Sequence, residues 1–250
     1  MSAVSCQLSV AMKVSLFVTC LVDQLFPQVG LSTVKVLKKC GVAVDFDPRQ
    51  TCCGQPAFNG GDWDASRKVV RHTVRTFRGE RPVVVPSGSC AAMIFHGAPL
   101  EFEHEEDSAS IAELAGRTWE LADYIVNGLG VERWSGRFPK RVALHRSCHC
   151  RGTDSAAAAA ALLGSIEGLE LVEFGEGEQC CGFGGTFSVS FPNLSASMGR
   201  EKIDQVIDAR PDVMVSADMG CLMHLGGIID REERALPRMH IAQVLKAALE

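Results

Sequence analysis

The 250-residue chain has no apolar run of about eighteen residues, so no segment is expected to cross a bilayer as a helix. Met1 to Met12 lacks a basic stretch followed by an apolar core and a cleavage site, which argues against a secretory signal. Basic residues are not in excess: 25 Lys and Arg stand against 30 Asp and Glu, for a net charge of -5. They are also scattered, so no nucleic-acid footprint is expected. Gly184-Gly185 opens neither a P-loop nor a complete dinucleotide fingerprint, and no flavin or nicotinamide motif is evident. These absences leave a reducing, cytoplasmic type of chain, with residues 1–11, Cys6 among them, expected to be a translated leader. With 46% hydrophobic and 22% charged residues, the length allows one large or two small domains.

Cysteine is abundant and ordered. There are 11, an odd number in a chain long enough to fold without staples, which argues against a disulfide framework. Two triplets, Cys52-Cys53-Gly54 and Cys180-Cys181-Gly182, recur 128 residues apart. Cys20 and Cys148 each precede their triplet by 32 positions, Cys90 follows Cys53 by 37, and Cys221 follows Cys181 by 40. Eight cysteines thus form two matching quartets, the mark of an internal repeat. Four converging thiolates suit zinc or the irons of an iron-sulfur cluster. Adjacent cysteines have diverging side chains and share one small tetrahedral ion poorly, whereas a cluster offers several irons. A cluster is the leading reading. A zinc scaffold is the alternative, and a thiol-disulfide enzyme cycling Cys52-Cys53 or Cys148 and Cys150 is the third.

Each cysteine of the quartets follows a β-rich run. Val14–Val18 leads to Cys20, Val42–Phe46 to the first triplet, and Arg81–Pro86 to Cys90; Val142–Leu144, Leu169–Phe174 and Val213–Val215 do the same in the second half. Between them the pattern predicts helices over Val22–Cys40, from Asp62 or Asp64 to Arg78, from the acidic stretch Glu101–Asp107 through about Leu129, and from Asp154 to Leu163. Two more are expected over Pro192–Ala209, capped by Asn193 or Ser195, and over Ile241–Leu249. The stretch Thr51 to Pro56 reads as an exposed turn and Glu101–Asp107 as a solvated segment. The expected fold class is α/β: two pseudo-repeated domains, 12–132 and 141–250, joined by a linker at 133–140. Each is a small parallel sheet flanked by helices, with its cysteine site at the carboxyl ends of the strands.

Other side chains near the motifs have chemical uses. His145 and His149 flank Cys148 and could orient a ligand, carry a proton, or serve as hydrogen-bonded structural residues. Arg146, Arg151 and Arg200 could hold a carboxylate, though surface solvation explains each of them as well. Cys40 is expected to be packed, and Cys150 to be an accessory thiol beside Cys148.

The twice-used order of a cysteine, about 31 residues, Cys-Cys-Gly, about 36 to 39 residues and a cysteine resembles the cysteine-rich CCG family. That family is found in the cysteine-rich subunit of heterodisulfide reductase and in glycolate oxidase iron-sulfur subunits. The likeness covers nearly the whole chain from Met12. It includes Met12 to Cys20, the Gln55-Pro56-Ala57-Phe58-Asn59-Gly60-Gly61 tail of the first triplet, Cys180 to Gly185, and Gly220-Cys221-Leu222-Met223-His224. Within the family the chain is most similar to the lactate-utilisation members. The resemblance implies a cytosolic electron-transfer subunit carrying iron-sulfur clusters of the 4Fe-4S type. It would work with a ferredoxin-like iron-sulfur subunit and a third subunit in oxidising L-lactate to pyruvate, with a glycolate-oxidising system as the alternative. The hydride acceptor then lies in another subunit or is replaced by chemistry at an open iron. Cys20, Cys52, Cys53, Cys90, Cys148, Cys180, Cys181 and Cys221 are the implied ligands. The heterodisulfide reductase members have a fifth cysteine in each motif; here Met93 and His224 stand in its place, and imidazole is the usable ligand of the two, which adds His224 to the candidates.

Overall fold

Val83-Val84-Val85 has no polar position to turn toward solvent, and all three side chains are at most 1% exposed. Such a run fits a parallel strand covered by helices on both faces. The computed structural model describes residues 12–176 and 178–250. The expected leader with Cys6 lies outside the described residues.

The first half runs β1 (Lys13–Leu16), α1 (Cys20–Leu25), α2 (Pro27–Lys39), β2 (Ala43–Asp45), α3 (Gln55–Asn59), α4 (Trp63–Thr76), β3 (Val83–Val85) and α5 (Gly88–Ala92). A π-helical turn at Met93–Gly97 leads to α6 (Ala98–Glu101), α7 (Ser108–Gly116), β4 (Thr118–Glu120) and α8 (Leu121–Asp123), which ends in a second π turn. The second half has β5 (Arg141–His145), a 3-10 turn at Cys148–Cys150, α9 (Ser155–Gly164), β6 (Glu170–Leu171), α10 (Phe187–Ser190) and α11 (Pro192–Asp208). It closes with β7 (Val213–Ser216), α12 (Met219–Arg231), β8 (Arg238–His240) and α13 (Ile241–Ala247). Two four-stranded sheets result, ordered β2-β1-β3-β4 and β6-β5-β7-β8, with every pair parallel. The α/β class with its pseudo-repeat therefore holds.

Several local readings need correction. The helix expected over Val22–Cys40 is two helices, because Pro27 lacks the amide needed to continue α1 and instead starts α2 at its first turn. The helix expected to follow the Glu101–Asp107 stretch and run through about Leu129 is interrupted by β4, which pairs with β3 at Val83–Thr118. Glu101 is not solvated: it is 1% exposed and accepts from Ser66 Oγ at 3.0 Å. Glu105 and Asp107 form ion pairs with Arg71. The Leu169–Phe174 strand is only Glu170–Leu171. Neither Asn193 nor Ser195 caps α11, whose cap position is Phe191. The stretch read as an exposed turn is partly interior, since Cys53 is 2% exposed, and it runs into α3.

The two sheets share one core. Val36 and Leu37 of α2 lie in the same apolar cluster as Val244 and Leu245 of α13, and Ala158, Ala159, Leu162 and Leu163 of α9 join Leu121 and Ala122 of α8 there. Each half thus packs its own helix onto the last helix of the other. The segment 133–140 sends Trp134 and Phe138 into this cluster, with Trp134 Nε1 donating to Leu245 O at 2.8 Å.

The last strand of each sheet ends in a fully buried helix cap. Glu120 accepts from Ala122 N at 2.8 Å and Asp123 N at 3.2 Å. His240 Nδ1 accepts from Ala242 N at 3.1 Å while Gln243 Oε1 accepts from His240 N at 2.8 Å, a reciprocal capping box. Burial pushes the Glu120 carboxyl up to about 8 and the His240 imidazole down to about 4. Between the ordinary carboxyl value of 4.5 and about 8, unfolded Glu120 releases its proton while the folded chain keeps it, so this group lowers stability as pH rises through that window. Glu120→Gln is expected to make stability fall less, or not at all, between about pH 5 and about pH 8, as read by urea unfolding at both pH values. Parallel declines in both proteins would show that Glu120 does not carry the effect.

Candidate metal centres

In each sheet the order of strands reverses next to the first one. The chain leaves β1 toward β2 on one side and returns to β3 on the other, so their loops part and open a crevice at the carboxyl ends. Cys20 follows β1, Cys90 follows β3, and the first triplet follows β2. Cys148, Cys221 and the second triplet repeat the placement after β5, β7 and β6.

The turn after each cysteine pair is built the same way twice. Gly54 has φ 96° and Gly182 φ 90°, values open to glycine and strained for other residues. Each turn is flanked by a serine one helix away. Ser66 Oγ, whose proton goes to Glu101 at 3.0 Å, lies 3.4 Å from Gly54 O, and Ser195 Oγ donates to Gly182 O at 2.7 Å. A side chain on Gly182 would meet Ser195 O at 2.4 Å, and one on Gly54 would meet Ser66 Oγ at 3.1 Å. The same turns aim amides at sulfur: Gly54 N donates to Cys52 Sγ and Gly182 N to Cys180 Sγ, both at 3.4 Å, and Phe183 N donates to Cys181 Sγ at 3.5 Å.

Both quartets gather. Cys20, Cys52, Cys53 and Cys90 line one cavity of about 130 Å³, with Cys53 Sγ and Cys90 Sγ 3.3 Å apart. Donation from the Cys20 and Cys53 thiols, then from the Gly54 amide, holds Cys52 far below an ordinary thiol, while Cys20 and Cys53 are pushed up by the same contacts and by burial. In the second quartet Cys180 is lowered by the Cys148 and Cys181 thiols, and Cys148 and Cys181 are raised in turn. Cys221 comes down to about 7, through the Cys181 thiol first and the His145 ring in a smaller part. Each quartet therefore favours ionisation at the first cysteine of its triplet, and the thiolate is the form that binds metal. No cysteine among the described residues is in a disulfide. The donor chemistry, soft sulfur on a confined cavity, fits a metal ion or cluster.

The cavities open between the halves. Phe183, Gly185, Met219 and Gly220 of the second half complete the first one. Cys148, His149 and Arg151 share another, of about 320 Å³, with Phe58, Met93 and His96 of the first half. Thr19, just before Cys20, is held at φ 70° and ψ 152°, a region otherwise used by glycine, at a cost of about 1–3 kcal/mol.

The remaining candidates scatter. His224 sits one turn after Cys221, with Nε2 3.2 Å from Ser195 O and 3.4 Å from Ser195 Oγ. Met93 is buried with its sulfur against Gly97. His149 Nδ1 is 3.7 Å from Cys148 Sγ. Arg200 is paired with Glu232 at 2.6 Å, and Arg151 donates to Glu178 O at 2.6 Å. Cys40 packs against the shared core. Cys150 is buried, which raises its thiol and works against the accessory redox role expected from sequence.

Two residues escaped the sequence reading. Asp218 caps α12, accepting from Gly220 N at 2.9 Å and Cys221 N at 3.3 Å, and its other oxygen accepts from Ser89 N of α5 at 2.7 Å. Its position three residues before Cys221, matching Ser87 before Cys90, was a readable capping signal. Lys202 is fully buried, donates to Glu176 O and lies 5.3 Å from the Phe174 ring centroid. A lysine at an interior helix position has no signal in a hydrophobic pattern.

Comparison with known proteins bears on this arrangement. The model of the CCG cysteine-rich domain matches residues 14–95 and 142–226. The chain is 40% identical over 240 residues to Lactate utilization protein A 1 of Bacillus anthracis (strain CDC 684 / NRRL 3495), covering 95% of this chain and 99% of that one. It is 44% identical over 237 residues to Lactate utilization protein A of Shouchella clausii (strain KSM-K16), covering 94% and 99%. The crystal structure of a hypothetical protein from Helicobacter pylori matches with a TM-score of 0.64 at 12% identity, over 95% of this chain and 49% of that one, a likeness of fold alone.

The two glycines should not tolerate alanine equally. Gly54→Ala is expected to cost about 1–2 kcal/mol for the left-handed backbone. Gly182→Ala adds a clash with backbone that cannot rotate away, about 1–3 kcal/mol more. Chemical denaturation of the two variants checks this, and equal losses would contradict the assigned geometry.

Proposed function

The chain belongs to the cysteine-rich CCG family, and from that premise we propose that it is the iron-sulfur electron-transfer subunit of a system that oxidises L-lactate to pyruvate. The observation that carries the reading is the pair of thiol quartets, each gathered at the reversal point of its own sheet. Cys20, Cys52, Cys53 and Cys90 would hold one 4Fe-4S cluster and Cys148, Cys180, Cys181 and Cys221 the other. The lactate assignment draws on the two relatives named above, which the chain matches over nearly their full length.

When bound, such a cluster supplies one-electron transfer at a potential set by exposure and by hydrogen bonds to sulfur. Lactate gives up two electrons and two protons in becoming pyruvate, so two one-electron centres in one chain suit the stoichiometry. The protein's own part is to hold thiolates and tune them. The Gly54, Gly182 and Phe183 amides donate to sulfur, and the inner cysteines Cys53, Cys181 and Cys221 are buried while Cys20, Cys52, Cys148 and Cys180 are partly exposed. The exposed side of each quartet is where a partner can approach, and a ferredoxin-like iron-sulfur subunit and a third subunit of the lactate system are the partners this role requires. No helix among the described residues is long and apolar enough to cross a membrane.

Anaerobic purification followed by iron and acid-labile sulfide analysis tests the cofactor. The expected result is a brown protein with about four irons per quartet and matching sulfide. A colourless chain that holds only zinc after iron-sulfur reconstitution would replace the electron-transfer role with a zinc scaffold.

A further inference from the structure

We propose that His145 is a nitrogen ligand of the centre held by the second quartet, so that the two halves carry centres of different composition: sulfur alone in the first, sulfur with imidazole in the second. The inference rests on the reading that the second quartet binds a metal centre.

His145 is the last residue of β5 and points into the interior, where it is 1% exposed. Neither ring nitrogen has a nitrogen or oxygen hydrogen-bond partner, and what the ring acts on is sulfur, the Cys221 thiol that it helps to lower. A ring nitrogen, Cys181 Sγ and Cys221 Sγ all lie within 4.8 Å of one another, and among the described residues this is the one group of three ligand-type side chains so close. Burying an unpaired polar group costs about 1–3 kcal/mol, and an imidazole carries two. The first half shows that the fold does not need the polarity. Phe17 stands at the equivalent position three residues before Cys20, is fully buried, and packs on Phe77 with ring centroids 5.1 Å apart. An imidazole in place of a phenyl ring, close to two sulfurs and without a nitrogen or oxygen partner, is accounted for by a metal that uses one nitrogen. Neutral imidazole is a common metal ligand and is compatible with zinc and with iron.

The other histidines nearby are differently engaged. His224 is turned toward the oxygens of Ser195, and His149 is partly exposed beside Cys148. Neither belongs to the close group. The assignment therefore moves the nitrogen from the helix α12 position to the end of a strand.

X-ray absorption at the metal edge of the full-length chain, loaded anaerobically, tests this for iron or zinc alike. The expected spectrum of the unaltered chain has a nitrogen shell at about 2.0–2.1 Å, the zinc-histidine distance, beside the sulfur shell. His149→Ala and His224→Ala should keep that shell and His145→Phe should lose it. His145→Cys guards against a variant that simply sheds its metal, since it should retain metal and exchange the nitrogen for sulfur. An all-sulfur spectrum in the unaltered chain, or a nitrogen shell that persists in both His145 variants, overturns the proposal. A chain that retains neither iron nor zinc overturns the metal-centre reading itself and this inference with it.

Discussion

Two adjacent cysteines cannot both reach one centre unless the backbone beside them folds back, and in this protein the folding back is done by a glycine in the left-handed region with a serine hydroxyl beside its carbonyl. The rest of each half serves that turn. The helix bearing the serine must run close enough that Gly182 has no room for a side chain. The turn in turn delivers its own amide to the first sulfur of the pair, adding to the neighbouring thiols that favour a thiolate there. A parallel sheet supplies the setting, because the reversal of strand order is where three loops can meet without crossing one another.

Repetition of this apparatus has not kept the two surroundings alike. Cys20 follows a strained threonine and Cys148 follows Ser147 in ordinary extended backbone. The first quartet has Phe17 and, on α4, Val70 in the apolar cluster that holds Cys53; the second has His145 and, on α11, Lys202 close by. The second surroundings contain an imidazole and a buried lysine, whose ammonium is opposed first by burial and favoured next by the Cys181 sulfur and Glu176. Positive charge near a centre favours its more reduced, more negative state. Redox centres bound by the two matching quartets would thus differ in potential through residues outside the quartets.

What the sequence made legible was whatever depends on local pattern. The cysteine quartets and the glycines repeat at matched intervals, and valine-rich runs such as Val83–Val85 announce buried strands. The three-residue strands Thr118–Glu120 and Arg238–His240 were not legible, because they are shorter than any alternation and lead straight into helices. Pro27 lies inside the helix expected over Val22–Cys40, and its missing amide in fact marks a new start. Ser195 looked like a cap by position and is committed instead to Gly182, a partner in another loop. His145 was noticed for its place beside Cys148, yet its closeness to Cys181 and Cys221 comes from two other loops.

The same distinction explains how two sites become one body. Asp218 begins α12, which carries Cys221, and its second oxygen reaches Ser89 N and Ser87 Oγ at the start of α5, which carries Cys90. The helices that present the closing cysteine of each quartet therefore start on one carboxylate. A buried charge is tolerable only when its lone pairs are filled, and here they are filled from both halves at once. Separating the halves would strip that carboxylate of the Ser87 and Ser89 donors and expose the shared core beneath Trp134. The relative placement of the two cysteine crevices is thus held by the same contacts that make the pair of sheets a single folded unit.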